Sequence, residues 1–298
     1  MVASHKPGIV LGIHGLANKP PVDEKRRWWE AAIREGLKRN GHGTETAAEF
    51  AFIYWADLRY ERPLGPDENN EPYEPDSGTG PFPRRTEAEP QLTTQVLSTL
   101  YRGVDWLEAK TGVTTVDDLI LEYRFDDLWH YHSQEAFTRK VRGRVRDELL
   151  RHADQRILLV AHSMGSIIAY DCLRLLEREW PSLKVAHFVT MGSPLGLGDV
   201  KLKVASEHGA ARVPNNVERW TNFADQRDLA AVAGALSDDY PPNDYGVTVT
   251  DVLVVNSYLR PNGEPNPHKS YGYLRTPEFS AIVEDFAPAP RRVVAATA

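Results

Sequence analysis

Ile157-Leu158-Leu159-Val160-Ala161-His162-Ser163-Met164-Gly165-Ser166 joins an unbroken apolar run to a second apolar segment through a short polar turn. Ile157 to Val160 predicts a strand buried on both faces. Met164 to Trp180 is apolar nearly all round at its start, which predicts a buried helix, and Pro181 ends it. A serine on so tight a strand-to-helix turn is held in a strained backbone with its hydroxyl pushed out of the sheet edge. Small residues two positions to either side, Ala161 and Gly165, let strand and helix approach. Serine also serves as a plain helix N-cap, but the strand, turn and helix together favour a nucleophile.

Outward from this turn the chain alternates strands and helices. Upstream, Gly8 to Ile13 predicts a buried strand, Asp23 to Asn40 a helix closed by Gly41, and Ala48 to Trp55 a second strand. Downstream, strands are expected at 185–191, 217–223 and 247–255, and a helix at Pro277 to Phe286 with proline in its first position. Phe137, Val141, Val145 and Leu149 mark a further helix. This alternation implies an α/β fold with a doubly wound, mainly parallel sheet. Between the second strand and the helix near Ser133 the pattern breaks. Residues 57–90 hold seven prolines, nine Asp/Glu and four Arg, and read as a long acidic loop. Leu92, Val96, Leu100 and Val104 then recur at helical spacing, and 117–131 predicts another helix.

The nucleophile turn resembles the G-x-S-x-G elbow of the α/β-hydrolase superfamily, lipase- and esterase-like members included, with Ala161 in place of the first glycine, a variant found among lipase-like members. The resemblance implies the α/β-hydrolase fold and the chain order serine, acid, histidine. It also implies an oxyanion loop after an early strand. His14-Gly15-Leu16 follows the first strand and is similar to the H-G-x loop of such enzymes. Carried over by position, the Leu16 and Met164 N–H groups form the oxyanion hole, while His14, Gly15 and His162 shape the substrate-binding wall. The acid belongs after the strand ending near Phe223. Asn222-Phe223-Ala224-Asp225-Gln226-Arg227-Asp228 is similar to the N-x-x-D-x-x-D run of lipase-like hydrolases, which makes Asp228 the acid and Asp225 its alternate. The base belongs after the next strand, where the only histidine is His268. The Gly192-Ser193-Pro194-Leu195-Gly196 turn resembles the G-S-P loop of the same enzymes and is expected to shape the pocket wall.

The reading that results is a single domain over 1–298, with 57–132 inserted as a Pro-rich loop and helical cap ahead of the elbow. The expected activity is cleavage of carboxylic esters, small or lipid-like, by Ser163, Asp228 and His268, with no cofactor and no metal. A thioesterase or acyltransferase needs the same residues, and a non-catalytic binding protein on this fold is the contrasting alternative. Composition narrows the field further. With 35 Lys+Arg against 42 Asp+Glu the chain is acidic, which argues against nucleic acid as partner. A lone Cys172 supplies neither an internal disulfide nor a cysteine metal cluster. The apolar run at Ile9 to Ile13 is too short for a signal core or a membrane span, so a cytoplasmic protein is expected. The Arg/Lys run over 139–151 reads as the solvated face of a helix, and a membrane-contact patch is its sharper alternative. The oligomeric state is not legible.

Overall fold

The apolar runs pair as one six-stranded sheet. In the computed structural model, which describes residues 8–43, 46–69, 71–85, 127–228, 230, 231 and 235–287, the strands are β1 (Gly8–Ile13), β2 (Glu49–Ile53), β3 (Arg156–His162), β4 (His187–Met191), β5 (Trp220–Ala224) and β6 (Val249–Leu253). Their order is β2-β1-β3-β4-β5-β6, and every neighbouring pair is parallel. The helices are α1 (Val22–Arg39), α2 (Glu135–Arg151), α3 (Met164–Glu179), α4 (Gly198–His208), the single turn α5 (Leu236–Asp239), α6 (Ser270–Arg275) and α7 (Pro277–Phe286).

Strand alternation sends side chains into two cores. Ile9, Leu11, Ile13, Ile157, Leu159 and Ala161 pack with Val141, Val145 and Leu149 of α2 and with Ile167 and Ile168 of α3. Val10, Leu158 and Val160 pack on the opposite face with Trp29, Ile33 and Leu37 of α1 and Phe279 and Val283 of α7. The sheet is therefore covered on both sides, as wholly apolar strands require. The chain leaves β1 toward one edge to make β2, then crosses back to make β3 on the other side of β1. The loops after β1 and β3 therefore diverge, and a crevice opens beyond their carboxyl ends, where open α/β sheets bind ligands.

Helices α4 and α6 lie where sequence periodicity predicts none. Along α4 the buried positions are Val200, Val204 and His208, so its stripe contains a polar residue. All six residues of α6 are buried, which leaves it no amphipathic contrast. The basic face of α2 is also not wholly solvated. Arg142 turns inward to Asp171 of α3, at 2.8 Å, and to Glu207 of α4. His208 Nε2 donates to the other oxygen of Asp171 at 2.8 Å, and Tyr131 Oη donates at 2.7 Å. This buried network ties α2, α3 and α4 together. Cys172 is buried beside it, and burial pushes its thiol up, out of the reactive range.

The described part of the acidic loop holds a 3-10 turn at Pro66–Glu68, passes the cleft at Leu64, Asn69 and Glu71, and is tied to the body at several points. Leu64 N donates to Lys19 O at 2.8 Å. Tyr73 Oη donates to Glu35 at 2.8 Å, Asp76 pairs with Arg39, and Phe82 is buried. The stripe Leu92/Val96/Leu100/Val104 and most of the predicted helix 117–131 lie outside the described residues. Residues 127–133 are helical.

Candidate active site

Ser163 closes β3 and opens α3 with φ 55° and ψ −131°, a left-handed conformation that only a tight, well-supported turn imposes on a side-chain-bearing residue. Two backbone bonds hold it there. Ser163 N donates to Met191 O at 3.0 Å, and Ser166 N donates to Ser163 O at 2.9 Å. The glycines on either side of the crevice let the chains close up. A methyl group at Gly165 would come 2.6 Å from His14 O, and one at Gly15 would come 2.6 Å from Ser163 Cβ. The loop after β1 is thus packed against the serine and the first turn of α3.

His268 and Asp228 reach the serine from the loops after β6 and β5. His268 Nε2 lies 3.0 Å from Ser163 Oγ. His268 Nδ1 lies 2.8 and 2.9 Å from the two oxygens of Asp228. A carboxylate accepts, so the ring proton belongs on Nδ1, which leaves the Nε2 lone pair for the serine hydroxyl. Tyr273 Oη donates to Asp228 at 2.7 Å and accepts from Asp225 N at 3.0 Å. Burial and the Asp228 charge hold the Tyr273 phenol well above its ordinary range, so it keeps its proton and remains a donor.

Asp225, the alternate acid, is turned away from His268. One oxygen accepts from Arg227 N at 2.8 Å and the other from Asn256 N at 2.6 Å, and the Arg227 guanidinium pairs with both. Of the two aspartates the structure brings Asp228 to the histidine, while Asp225 fastens the loop after β5 to the loop after β6.

His14, Gly15 and His162, expected to shape the wall, line the cleft, and the two histidines are also fixed as supports. His14 Nδ1 donates to Gly15 O at 2.8 Å, and His14 Nε2 accepts from Trp55 N at 3.0 Å. Burial, then Lys19, lower its pKa well below the ordinary histidine value, so the ring is neutral and both nitrogens are committed. His162 Nε2 donates to the carbonyl of His268 at 2.6 Å, which fixes the backbone at His268. Burial, then His268, lower its pKa well below the ordinary value. The Gly192–Gly196 turn lines no wall but lies behind the acid and base. A methyl at Gly192 would come 2.7 Å from Asp228 Oδ2 and 3.2 Å from His268 Nδ1.

Leu16 N and Met164 N flank the serine and donate to no acceptor among the described residues. Asp127 holds the loop that carries the first of them. Ala17, at φ 68°, donates its N–H to Asp127 at 2.7 Å, and Asp127 is buried beside Tyr60 Oη at 3.0 Å. Lys19 Nζ caps the carbonyls of Leu16 and Ala17. Sequence reading missed Asp127, Tyr273 and Lys19, because no periodicity or spacing links residue 127 or 273 to a loop so far away in the chain.

Ser163, His268 and the Leu16 loop line an open cleft of about 450 Å³, together with Lys25, Trp28, Leu64, Asn69, Glu71, Arg260, Lys269 and Tyr271. Although burial raises it, Lys269 and its neighbours hold the Glu71 carboxyl down to about 2.

Residues 103–212 match the lecithin:cholesterol acyltransferase family. That span carries Ser163 and its turn but neither Asp228 nor His268. No curated protein matches the chain. Among solved structures, a cutinase-like protein from Cryptococcus sp. is similar at 9% identity and a TM-score of 0.34, over 95% of this chain and 94% of that one. With its parallel sheet order and its serine turn after β3, the chain has the α/β-hydrolase fold, and over that turn it is similar to the lecithin:cholesterol acyltransferase family.

Proposed function

We propose that the protein is a serine hydrolase that cleaves carboxylic esters through a covalent acyl-enzyme. One observation carries the reading: a continuous hydrogen-bonded chain runs from Asp228 through His268 to Ser163 at the wall of an open cleft. Ser163 Oγ attacks the ester carbonyl carbon while His268 Nε2 takes its proton. Asp228 keeps the imidazole in the Nδ1–H form and stabilises the imidazolium. The Leu16 and Met164 N–H groups, unengaged among the described residues, receive the oxyanion, where loss of one such donor typically costs about 10² to 10³ in rate. His268 returns its proton to the leaving alcohol, and the same histidine then activates the water that releases the acid. Each step uses only groups of this chain.

Leu64, Asn69 and Glu71 line the cleft, which supports 57–132 as a cover inserted into a single α/β unit. A second reading is favoured by the match over residues 103–212. An alcohol in place of water would take the acyl group from the same intermediate, and product analysis with an added alcohol separates the two outcomes.

The test is hydrolysis of 4-nitrophenyl esters of graded chain length by the native protein and by Ser163→Ala, with labelling by a fluorophosphonate. Native turnover, its loss in Ser163→Ala, and label on Ser163 are expected. An inactive native protein with Ser163 unlabelled would overturn the proposal.

A further inference from the structure

Lys25 is the group in the cleft that ester hydrolysis leaves unused. It lies in the first turn of α1, nine residues beyond Leu16, and is 4% exposed. Among the described residues its ammonium is paired with no carboxylate. It donates to Tyr271 Oη at 2.8 Å and lies 4.4 Å from the centre of the same ring. An ammonium carries three donors, and a phenol neutralises none of its charge. Lysine is almost never fully buried unless paired, because an uncompensated buried charge is strongly unfavourable. Packing alone would be served better by methionine or leucine.

The surroundings sharpen the point. Lys19, Lys269 and Arg260 line the same cleft, and among the described residues Glu71 is the one carboxylate in that lining. Glu71 is itself engaged by Lys269 at 2.6 Å, by Arg260 at 2.9 Å and by Asn266. Among the described residues, Glu71 thus spends its charge on Lys269 and Arg260 and leaves none for Lys25. Burial, then Lys269 and Lys19, lower the Lys25 pKa well below the ordinary lysine value, a strain that a bound anion relieves. Position is equally specific. Lys25 follows directly on the loop that carries Leu16, and its partner Tyr271 stands three residues beyond His268. The ammonium thus links the helix that follows the Leu16 loop to the helix that follows the His268 loop.

We propose that the substrate carries an anionic group, a carboxylate or a phosphate, that pairs with Lys25 beside the reacting ester. The reaction assigned to such a substrate rests on the serine-ester reading; the binding of the anion does not.

Two substrate pairs distinguish the sources of charge. On the acyl side, 4-nitrophenyl hydrogen glutarate is compared with 4-nitrophenyl pentanoate. On the alcohol side, 2-(butanoyloxy)ethyl phosphate is compared with 2-hydroxyethyl butanoate, followed by pH-stat. The native protein should prefer the anionic member of one pair by about tenfold or more in kcat/KM, and Lys25→Met should abolish the preference. Preference for the neutral member in both pairs, or a preference that survives Lys25→Met, overturns the proposal. Calorimetry with glutarate and butyl phosphate needs no turnover. Binding to native and Ser163→Ala protein that vanishes in Lys25→Met supports the anion site even if no ester is cleaved, in which case the ester reading alone fails. Absence of binding by both anions overturns the site. Without ligand, Lys25→Met should melt at a higher temperature than the native protein, since it removes a buried charge; a lower melting temperature would make Lys25 a structural residue and overturn the assignment.

Discussion

Two aspartates three positions apart meet different partners. Asp228 faces His268 and Tyr273, whereas Asp225 spends its oxygens on Arg227 and on the backbone of Asn256. Asp228→Asn preserves shape but offers His268 an amide, which favours the wrong tautomer. It should lower kcat by about 10⁴ while leaving the melting temperature close to native. Asp225→Asn should do the reverse, because a buried charge-assisted network loses its charge. A loss of about 1–3 kcal/mol in urea unfolding is expected, with a smaller loss of activity. A larger fall in kcat for Asp225→Asn than for Asp228→Asn would reverse the assignment. At this scale the sequence is informative where chain order constrains the choice: Ser163 and His268 follow from a turn and from a unique histidine. Tyr273 and Lys25 were hidden because their meaning is the partner they meet, and that partner lies 45 or 246 residues away.

Among the elements, β1, β3, α1, α2, α3 and α7 were legible because each has an apolar run or a clear stripe, and β2, β4, β5 and β6 from shorter runs rich in β-branched and aromatic residues. The two unpredicted helices lack that signal: α6 is buried all round, and α4 has a histidine in its stripe. The loop after β1 depends on residues remote in sequence. Asp127 receives the Ala17 N–H, Trp55 closes on both His14 Nε2 and His14 O, and Lys19 folds back on the Leu16 carbonyl. If this loop presents the Leu16 N–H to an oxyanion, its anchor matters to rate without touching substrate. Asp127→Ala should lower kcat by about 10- to 100-fold with KM little changed, through misplacement of that donor. The rate of fluorophosphonate labelling should fall in parallel, since phosphonylation uses the same hole. Unchanged labelling would mean that the loop holds its shape without Asp127.

For the whole molecule, the described part of the acidic loop read from composition is a strap, three of whose carboxylates pair with the body. Glu71 meets Lys269 and Arg260, Asp76 meets Arg39, and Asp57 meets Arg144. Composition could count these charges but not their partners. Acid sensitivity therefore has two separate sources. The strap carboxylates matter only at low pH: Glu71 is held down to about 2, so its stabilising contribution is intact above about pH 4.5 and fades as pH falls toward 2. The buried histidines act earlier. His14 and His162 are lowered well below the ordinary value, and His187 is lowered to about 4, by burial first in each case. In the unfolded chain each binds a proton below about pH 6.5, while the folded state does not. Since the unfolded state then holds more protons, stability rises with pH across this window and is lost as pH falls from 7 to 5. For His187 the loss is about 2 kcal/mol at pH 5. Urea midpoints measured at pH 7 and pH 5 should differ accordingly. His187 lies away from the cleft, with Nε2 on Thr221 Oγ1 at 2.8 Å. A His187→Gln variant should therefore recover its share of the loss, about 2 kcal/mol at pH 5, while a midpoint that does not move between pH 7 and 5 would mean that these rings are protonated within the fold.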